Sequence, residues 1–148
     1  MIALACDHSG FPLMKHVKDQ LDKMGVEYRD FGTYTPDSCD YPVYAQRAAL
    51  AVAGGECERG ILCCGTGVGI SIAANKVKGI RCVVCSDVYS AKMSRVHNDA
   101  NMLALGARVL GDGEAKLIVE TWMTTEYAGS YHQPRVDMIA AIERGEIL

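Results

Sequence analysis

The stretch Cys63-Cys64-Gly65-Thr66-Gly67-Val68-Gly69-Ile70-Ser71 decides how this chain folds. Ahead of it, residues 60–64 form a short apolar run of the kind that makes a buried strand. Behind it, residues 70–76 read as a helix. Three glycines in the five residues 65–69 join the two. Glycines at such a junction permit positive φ and close backbone approach to a ligand. Successive free N–H groups and a helix N-terminus together make a nest for negative charge. A thiol at the strand end, Cys63 or Cys64, would face that nest, where the same donors would hold its thiolate. The two side chains point to opposite faces of a strand, so one of them faces a site.

Outward from this junction the same alternation repeats. Upstream, Ile2–Cys6 is an apolar strand that ends at Asp7. Phe11, Met14, Val17, Leu21 and Met24 recur at helical spacing, and Gly25 follows where a helix ends. Residues 26–31 read as a second strand, 32–42 as a turn-rich loop, and 43–53 as an Ala-rich helix stopped by Gly54-Gly55. Downstream, residues 80–85 and 102–105 read as strands, with helices at 88–96, 114–125 and 136–144. Strands that are apolar throughout, each followed by a helix, predict a parallel sheet covered on both faces. With right-handed crossovers this is a Rossmann-like, three-layer α/β/α sandwich with a five-stranded parallel sheet, in one domain over residues 1–148. Ligands in such folds bind beyond the carboxyl ends of the strands. That singles out Asp7-His8, the 32–41 loop, residues 64–69, Ser86-Asp87 and Arg108.

Composition narrows the function. Charged residues make up 22% and the net charge is −3, with no dense Lys/Arg cluster, so a nucleic-acid partner is not expected. No apolar run approaches the ~18 residues of a membrane span, and the N-terminus lacks a basic leader. Seven cysteines, an odd count, argue for free thiols in a reducing cytoplasm. Cys82 and Cys85 lie three apart on a strand, on opposite faces, and read as core. Cys57, among charged residues, reads as a surface or loop residue. The spacing G-x-G-x-G after the third strand is a weak dinucleotide signal, although Asp87 after the next strand mimics a ribose-binding acid. No zinc spacing occurs. Among the histidines, His16 reads as a solvated helix position, and His8 follows the first strand where a ligand would sit. His97 follows a helix, whose dipole it could complement, and His132 lies near Arg135.

At Cys6-Asp7-His8-Ser9-Gly10-Phe11, Asp40-Tyr41-Pro42, residues 64–76 and His97-Asn98-Asp99, the chain closely resembles the ribose-5-phosphate isomerase type B family, which includes the galactose-6-phosphate isomerase subunits. The resemblance spans essentially the whole chain. It implies a cofactor-free, metal-free aldose–ketose isomerase, a homodimer or tetramer with each active site at a subunit interface. Carried over by resemblance, Cys64 would move a proton between C1 and C2, since no carboxylate stands at Gly69 or Ile70. The amides of Gly65, Gly67, Val68 and Gly69 would hold the enediolate oxygen, whose charge grows in the transition state, with Thr66 assisting. His97, with Asp7 or Asn98 nearby, would open the furanose ring. Tyr41 would pack against the sugar. His8 and Arg135 would bind phosphate, with Arg108 reaching in from the neighbouring subunit.

At one position the chain departs from the family pattern: many relatives have Arg where Tyr131 stands. A phenol replaces a bidentate guanidinium only in part. Ribose 5-phosphate is the expected substrate. Galactose 6-phosphate, allose 6-phosphate or an unphosphorylated rare sugar are the alternatives. A non-catalytic sugar-phosphate or nucleotide-binding module is the alternative of another class.

Overall fold

The computed structural model describes residues 1–148. Strands and helices alternate without exception: β1 (Ile2–Cys6), α1 (Phe11–Lys23), β2 (Tyr28–Asp30), α2 (Tyr41–Ala53), β3 (Arg59–Cys64), α3 (Val68–Ala74), β4 (Cys82–Val84), α4 (Val88–Asn98), β5 (Met102–Gly106) and α5 (Asp112–Thr124). A 3-10 turn over Ser130–His132 and a last helix, α6 (Gln133–Glu143), close the chain. The five strands form one parallel sheet in the order β2-β1-β3-β5-β4. In β1, β3 and β5 nearly every residue is buried, which is why these strands are apolar on both faces.

The alternation of side chains divides the core in two. Ile2, Leu4, Cys6, Ile61, Cys63, Leu103 and Leu105 face α1, α4 and α5, whose Leu13, Val17, Ala91, Ile118 and Trp122 meet them. Ala3, Ala5, Leu62, Cys64, Met102 and Ala104 face α2 and α3. There Ala45, Ala48 and Ala49 are fully buried, and their small side chains let α2 lie close to the sheet. Cys63 and Cys64 therefore sit on opposite faces, as do Cys82 and Cys85.

The chain runs outward from β1 to β2, then crosses back to β3. The crevice between the carboxyl ends of β1 and β3 is thus the topological switch point. Both edge strands are shorter than expected, three residues each, because each pairs on one side only. α2 and α3 begin at Tyr41 and Val68, two residues before the apolar periodicity does. Pro42 fits the first turn of a helix, where its missing N–H costs nothing. α4 continues through Asn98, which puts His97 inside its last turn. Cys57 corrects another expectation: it is 1% exposed and packs in the α2–α3 core. Its N–H donates to the Ala51 carbonyl, which folds the α2–β3 loop over its thiol.

Candidate active site

At the switch point the end of β3 turns sharply. Gly67 takes φ +80°, a left-handed conformation open to glycine at little cost, and caps α3. This turn aims the Gly67 N–H back at the Cys64 Sγ, 3.1 Å away. The thiol is thereby the acceptor of a backbone donor at the carboxyl edge of the sheet. Thr66 Oγ1 accepts the Val68 N–H at 3.2 Å, which stiffens the same turn. Tyr41, the first residue of α2, lies across Gly69. A Cβ there would come within 2.9 Å of the tyrosine ring and 3.2 Å of its hydroxyl. The bare glycine is what lets the phenol cover the loop.

β1 supplies the other wall. Asp7 is buried, and its Oδ1 accepts the Gly10 N–H at 2.9 Å. That bond closes the β1–α1 turn, and the Asp7 N–H donates to the Cys63 carbonyl. His8 follows, half-buried, and its Nδ1 accepts the Cys39 N–H at 3.2 Å. Arg108, just past β5, donates its own N–H to the Gly65 carbonyl at 2.9 Å. Its guanidinium lies over Gly65 and reaches Ser9 Oγ at 3.4 Å. His8, Ser9, Ala107 and Arg108 line a cavity of about 400 Å³. Pro12, Leu13, His16 and Asp112 complete that lining, and His16 pairs with Asp112 at 3.1 Å.

A second cluster forms elsewhere. His97 stacks on His132 with ring centroids 4.5 Å apart, and Tyr131 packs against His132 at 4.2 Å. The Arg135 guanidinium lies 5.8 Å from the centre of the Tyr131 ring. Burial, then the neighbouring His97 and Arg135, push the His132 imidazole below its ordinary value. The end of α4 beneath this cluster is firmly held. Asp99 closes it in a left-handed conformation, φ +46°. The buried Arg95 donates to Asp99 Oδ1 at 2.8 Å and to the Ala100 carbonyl at 2.7 Å. Arg81 donates to the Asn98 and Asp99 carbonyls.

The two clusters lie at opposite edges of the sheet. A crossover helix runs back against its strands, so the end of α4 lies at the amino edge, next to the start of β5. Cys64 lies at the carboxyl edge, paired with Gly106 at the end of β5. His97 and Asn98 are thus not beside Asp7 or Cys64 of the same chain; of the two neighbours expected for His97, Asp7 or Asn98, its own chain supplies Asn98. Asp7, whose carboxylate is bonded to the β1–α1 turn, has a structural partner instead. Arg108 likewise differs from expectation, because it packs on the glycine turn of its own chain. Sequence reasoning missed Ser9, Cys39 and the His16–Asp112 pair as site neighbours. Cys39 lies in the 32–41 loop it marked and Ser9 directly follows Asp7-His8, but nothing in the residue types distinguished them. No group of three or more His, Cys, Asp or Glu side chains is arranged to hold a metal ion.

Known proteins place this arrangement. The Ribose/Galactose Isomerase family profile matches residues 2–139. Ribose-5-phosphate isomerase B of Escherichia coli is 57% identical over 143 residues, covering 97% of this chain and 96% of that protein. The D-erythrulose-4-phosphate isomerase of Pectobacterium atrosepticum is 40% identical, covering 98% of this chain and 96% of its own. The solved structure of Clostridium thermocellum ribose-5-phosphate isomerase B superposes with a TM-score of 0.95 at 52% identity, covering 97% of both chains. With the family profile, the sequence identity and the fold in agreement over this length, the chain belongs to the Ribose/Galactose Isomerase family.

Proposed function

We infer that this chain is an aldose–ketose isomerase that interconverts ribose 5-phosphate and ribulose 5-phosphate through an enediolate. The observation that carries the mechanism is Cys64 at the end of β3, its sulfur receiving the Gly67 N–H at 3.1 Å. That donor fixes the sulfur at the carboxyl edge of the sheet, where a proton acceptor for the sugar carbon has to stand. Cys64 takes the proton from C2 of the open-chain aldose, and the electron pair moves to make the C1–C2 double bond of the enediolate. The C1 carbonyl pair moves onto O1, the O2 hydroxyl proton passes to O1, and return of the carbon-bound proton to C1 as the C2 carbonyl forms completes the ketose. The Gly67 and Val68 N–H groups are engaged with Cys64 Sγ and Thr66 Oγ1, so the amides of Gly65 and Gly69 with the Thr66 hydroxyl face the oxygen on which charge develops. Tyr41 packs against the sugar. His8 and Arg108 hold the phosphate from the same chain.

His97 opens the furanose ring, with Asn98 beside it, and both come from a neighbouring subunit. Proton transfer demands contact within about 3 Å, and the six residues of β3 already span about 20 Å. Tyr131 and Arg135 enter with His97. The working unit is a homodimer, with a tetramer as a further pairing of such dimers. α6 supports this reading: Met138, Ile139 and Ile142 are 50%, 44% and 58% exposed on it, while Val136 alone is buried. We place the protein in the cytoplasm, where its seven free thiols would stay reduced. No helix is long and apolar enough to cross a membrane.

Cys64→Ala should lower turnover by about 10²- to 10⁴-fold and abolish proton exchange at C2; near wild-type turnover overturns the mechanism. Mixing Cys64→Ala with an inactive His97→Asn chain tests the shared site. Random pairing makes half the dimers mixed, each with one intact site, so about one quarter of full activity should return. No recovery after subunit exchange refutes the composite site. Tyr131 favours a second reading, a six-carbon sugar phosphate, because it leaves Arg135 as the guanidinium of its cluster. Comparing kcat/KM for ribose 5-phosphate, galactose 6-phosphate and allose 6-phosphate decides between them. A non-catalytic nucleotide module would instead be stabilised against heat by nucleotides alone.

A further inference from the structure

We propose that the backbone N–H of Cys39 sets the tautomer of His8, making its imidazole a neutral Nε2–H donor toward the substrate phosphate. The phosphate part of this inference rests on the function proposed above; the tautomer does not.

Cys39 and His8 are 31 residues apart in sequence, and the chain brings them together at the far end of the β2–α2 loop. The Cys39 N–H donates to His8 Nδ1 at 3.2 Å, and the Cys39 Sγ stands 4.0 Å from the same nitrogen. An amide donor directed at Nδ1 needs a lone pair there. In the neutral ring the proton must then reside on Nε2. His8 lines the cavity that also holds Ser9 and Arg108, whereas Cys39 does not. The amide thus occupies one ring nitrogen from outside the cavity and leaves the other for a ligand. Phosphate oxygens only accept hydrogen bonds. The opposite tautomer would turn a lone pair toward them, so fixing the proton on Nε2 converts a repulsive contact into an attractive one.

The charged neighbours fit a neutral donor. Arg108 already supplies positive charge to this cavity, and His16 and Asp112 pair with each other across it. Asp7 is engaged with the Gly10 N–H. Cys39 also precedes Asp40, the N-cap of α2, and Tyr41, its first residue. One backbone contact therefore ties the imidazole just after β1 to the start of the helix that carries the tyrosine. Cys39 is in this sense a positioning residue, acting through His8.

The test is long-range ¹H–¹⁵N correlation on the uniformly ¹⁵N-labelled full chain at pH 8, with His8→Gln used to assign the ring. His8 should show a protonated Nε2 and an unprotonated Nδ1. Cys39→Ser keeps the N–H and should keep this pattern. Cys39→Pro lacks the N–H and should lose the single tautomer. Its KM for ribose 5-phosphate should rise about three- to tenfold while kcat stays within about twofold. An Nδ1–H tautomer in the wild type overturns the proposal. So does an unchanged tautomer in folded Cys39→Pro, or a fall in its kcat with KM unmoved. If Cys39→Pro fails to fold, the Cys39 amide proton decides: it should move upfield in His8→Ala, and an unmoved resonance overturns the proposal. A wild type with the Nε2–H tautomer but no isomerase activity would instead refute the function proposed above.

Discussion

Gly10→Ala is a direct test of how the crevice is built. Gly10 caps α1 with φ −84° and ψ −13°, a conformation any residue adopts, so the substitution carries no backbone strain. Its cost is steric. The new Cβ would fall inside the Cys63 carbonyl and 2.8 Å from the Cys64 nitrogen. Both are backbone atoms of β3 and have no rotamer by which to escape. The β1–α1 turn must move outward, weakening the Asp7 N–H bond to the Cys63 carbonyl. Overpacking of this kind costs about 1–3 kcal/mol, with the upper end appropriate for a clash with backbone. The stiffer unfolded chain returns about 0.4–1 kcal/mol. A net loss of about 2 kcal/mol lowers Tm by about 4–8 °C for a chain of this size. Urea unfolding followed by circular dichroism measures it, at matched protein concentration because association adds to apparent stability. Gly113→Ala is the control. Nothing lies within 4 Å of its Cβ, and it should stabilise α5 by up to about 1 kcal/mol. A Gly10→Ala chain within about 0.5 kcal/mol of wild type would refute the reasoning.

Stability should also fall as pH drops through the ordinary imidazole range, near ~6.5. His132 is held below that value by burial, His97 and Arg135, so the unfolded chain takes up a proton that the folded chain resists. His132→Phe should flatten the dependence of the urea midpoint between pH 5.5 and 8, and an unchanged slope would count against it. Alkylation with iodoacetamide at pH 8 should reach the half-buried Cys39 first. Burial pushes Cys6 and Cys82 up to about 12, Cys85 to about 11 and Cys63 upward too, so these four should label only in urea, as read by mass spectrometry.

The sheet is legible in the sequence because its central strands leave no ambiguity. Ile2–Cys6 and Arg59–Cys64 are apolar on both faces, which only a sheet covered on both sides can bury. The glycine turn is legible for a related reason: a run of glycines after such a strand marks where backbone must approach backbone or ligand. Cys57 shows the limit. Glu56 and Glu58 beside it suggest a surface, yet the hydrogen bond to Ala51 folds its thiol under the loop. Local charge describes the neighbours of a residue, not the direction of its own side chain. The Cys39–His8 contact is of the same kind, because a backbone N–H leaves no trace in the residue type.

The placement of His97 is the deeper case. Its chemistry is readable from the sequence, but its distance from Cys64 is not, and the two are 33 residues apart with a strand and two helices between them. The direction of a βαβ crossover settles the matter, because its helix runs antiparallel to the parallel strands it joins. A group at the end of a strand and a group at the end of a helix lie at opposite edges of the sheet, however suitable their side chains are for one another. Neither edge is idle. The carboxyl edge carries a thiol, a glycine turn, the His8 imidazole and the Arg108 guanidinium. The amino edge carries an imidazole stacked on a second imidazole, with a tyrosine and an arginine behind it. Four arginine–carbonyl bonds hold the end of α4 more firmly than a solvated helix end requires. If both clusters serve one reaction, as the proposed function has it, one chain cannot bring them together, and a second chain must supply the other half.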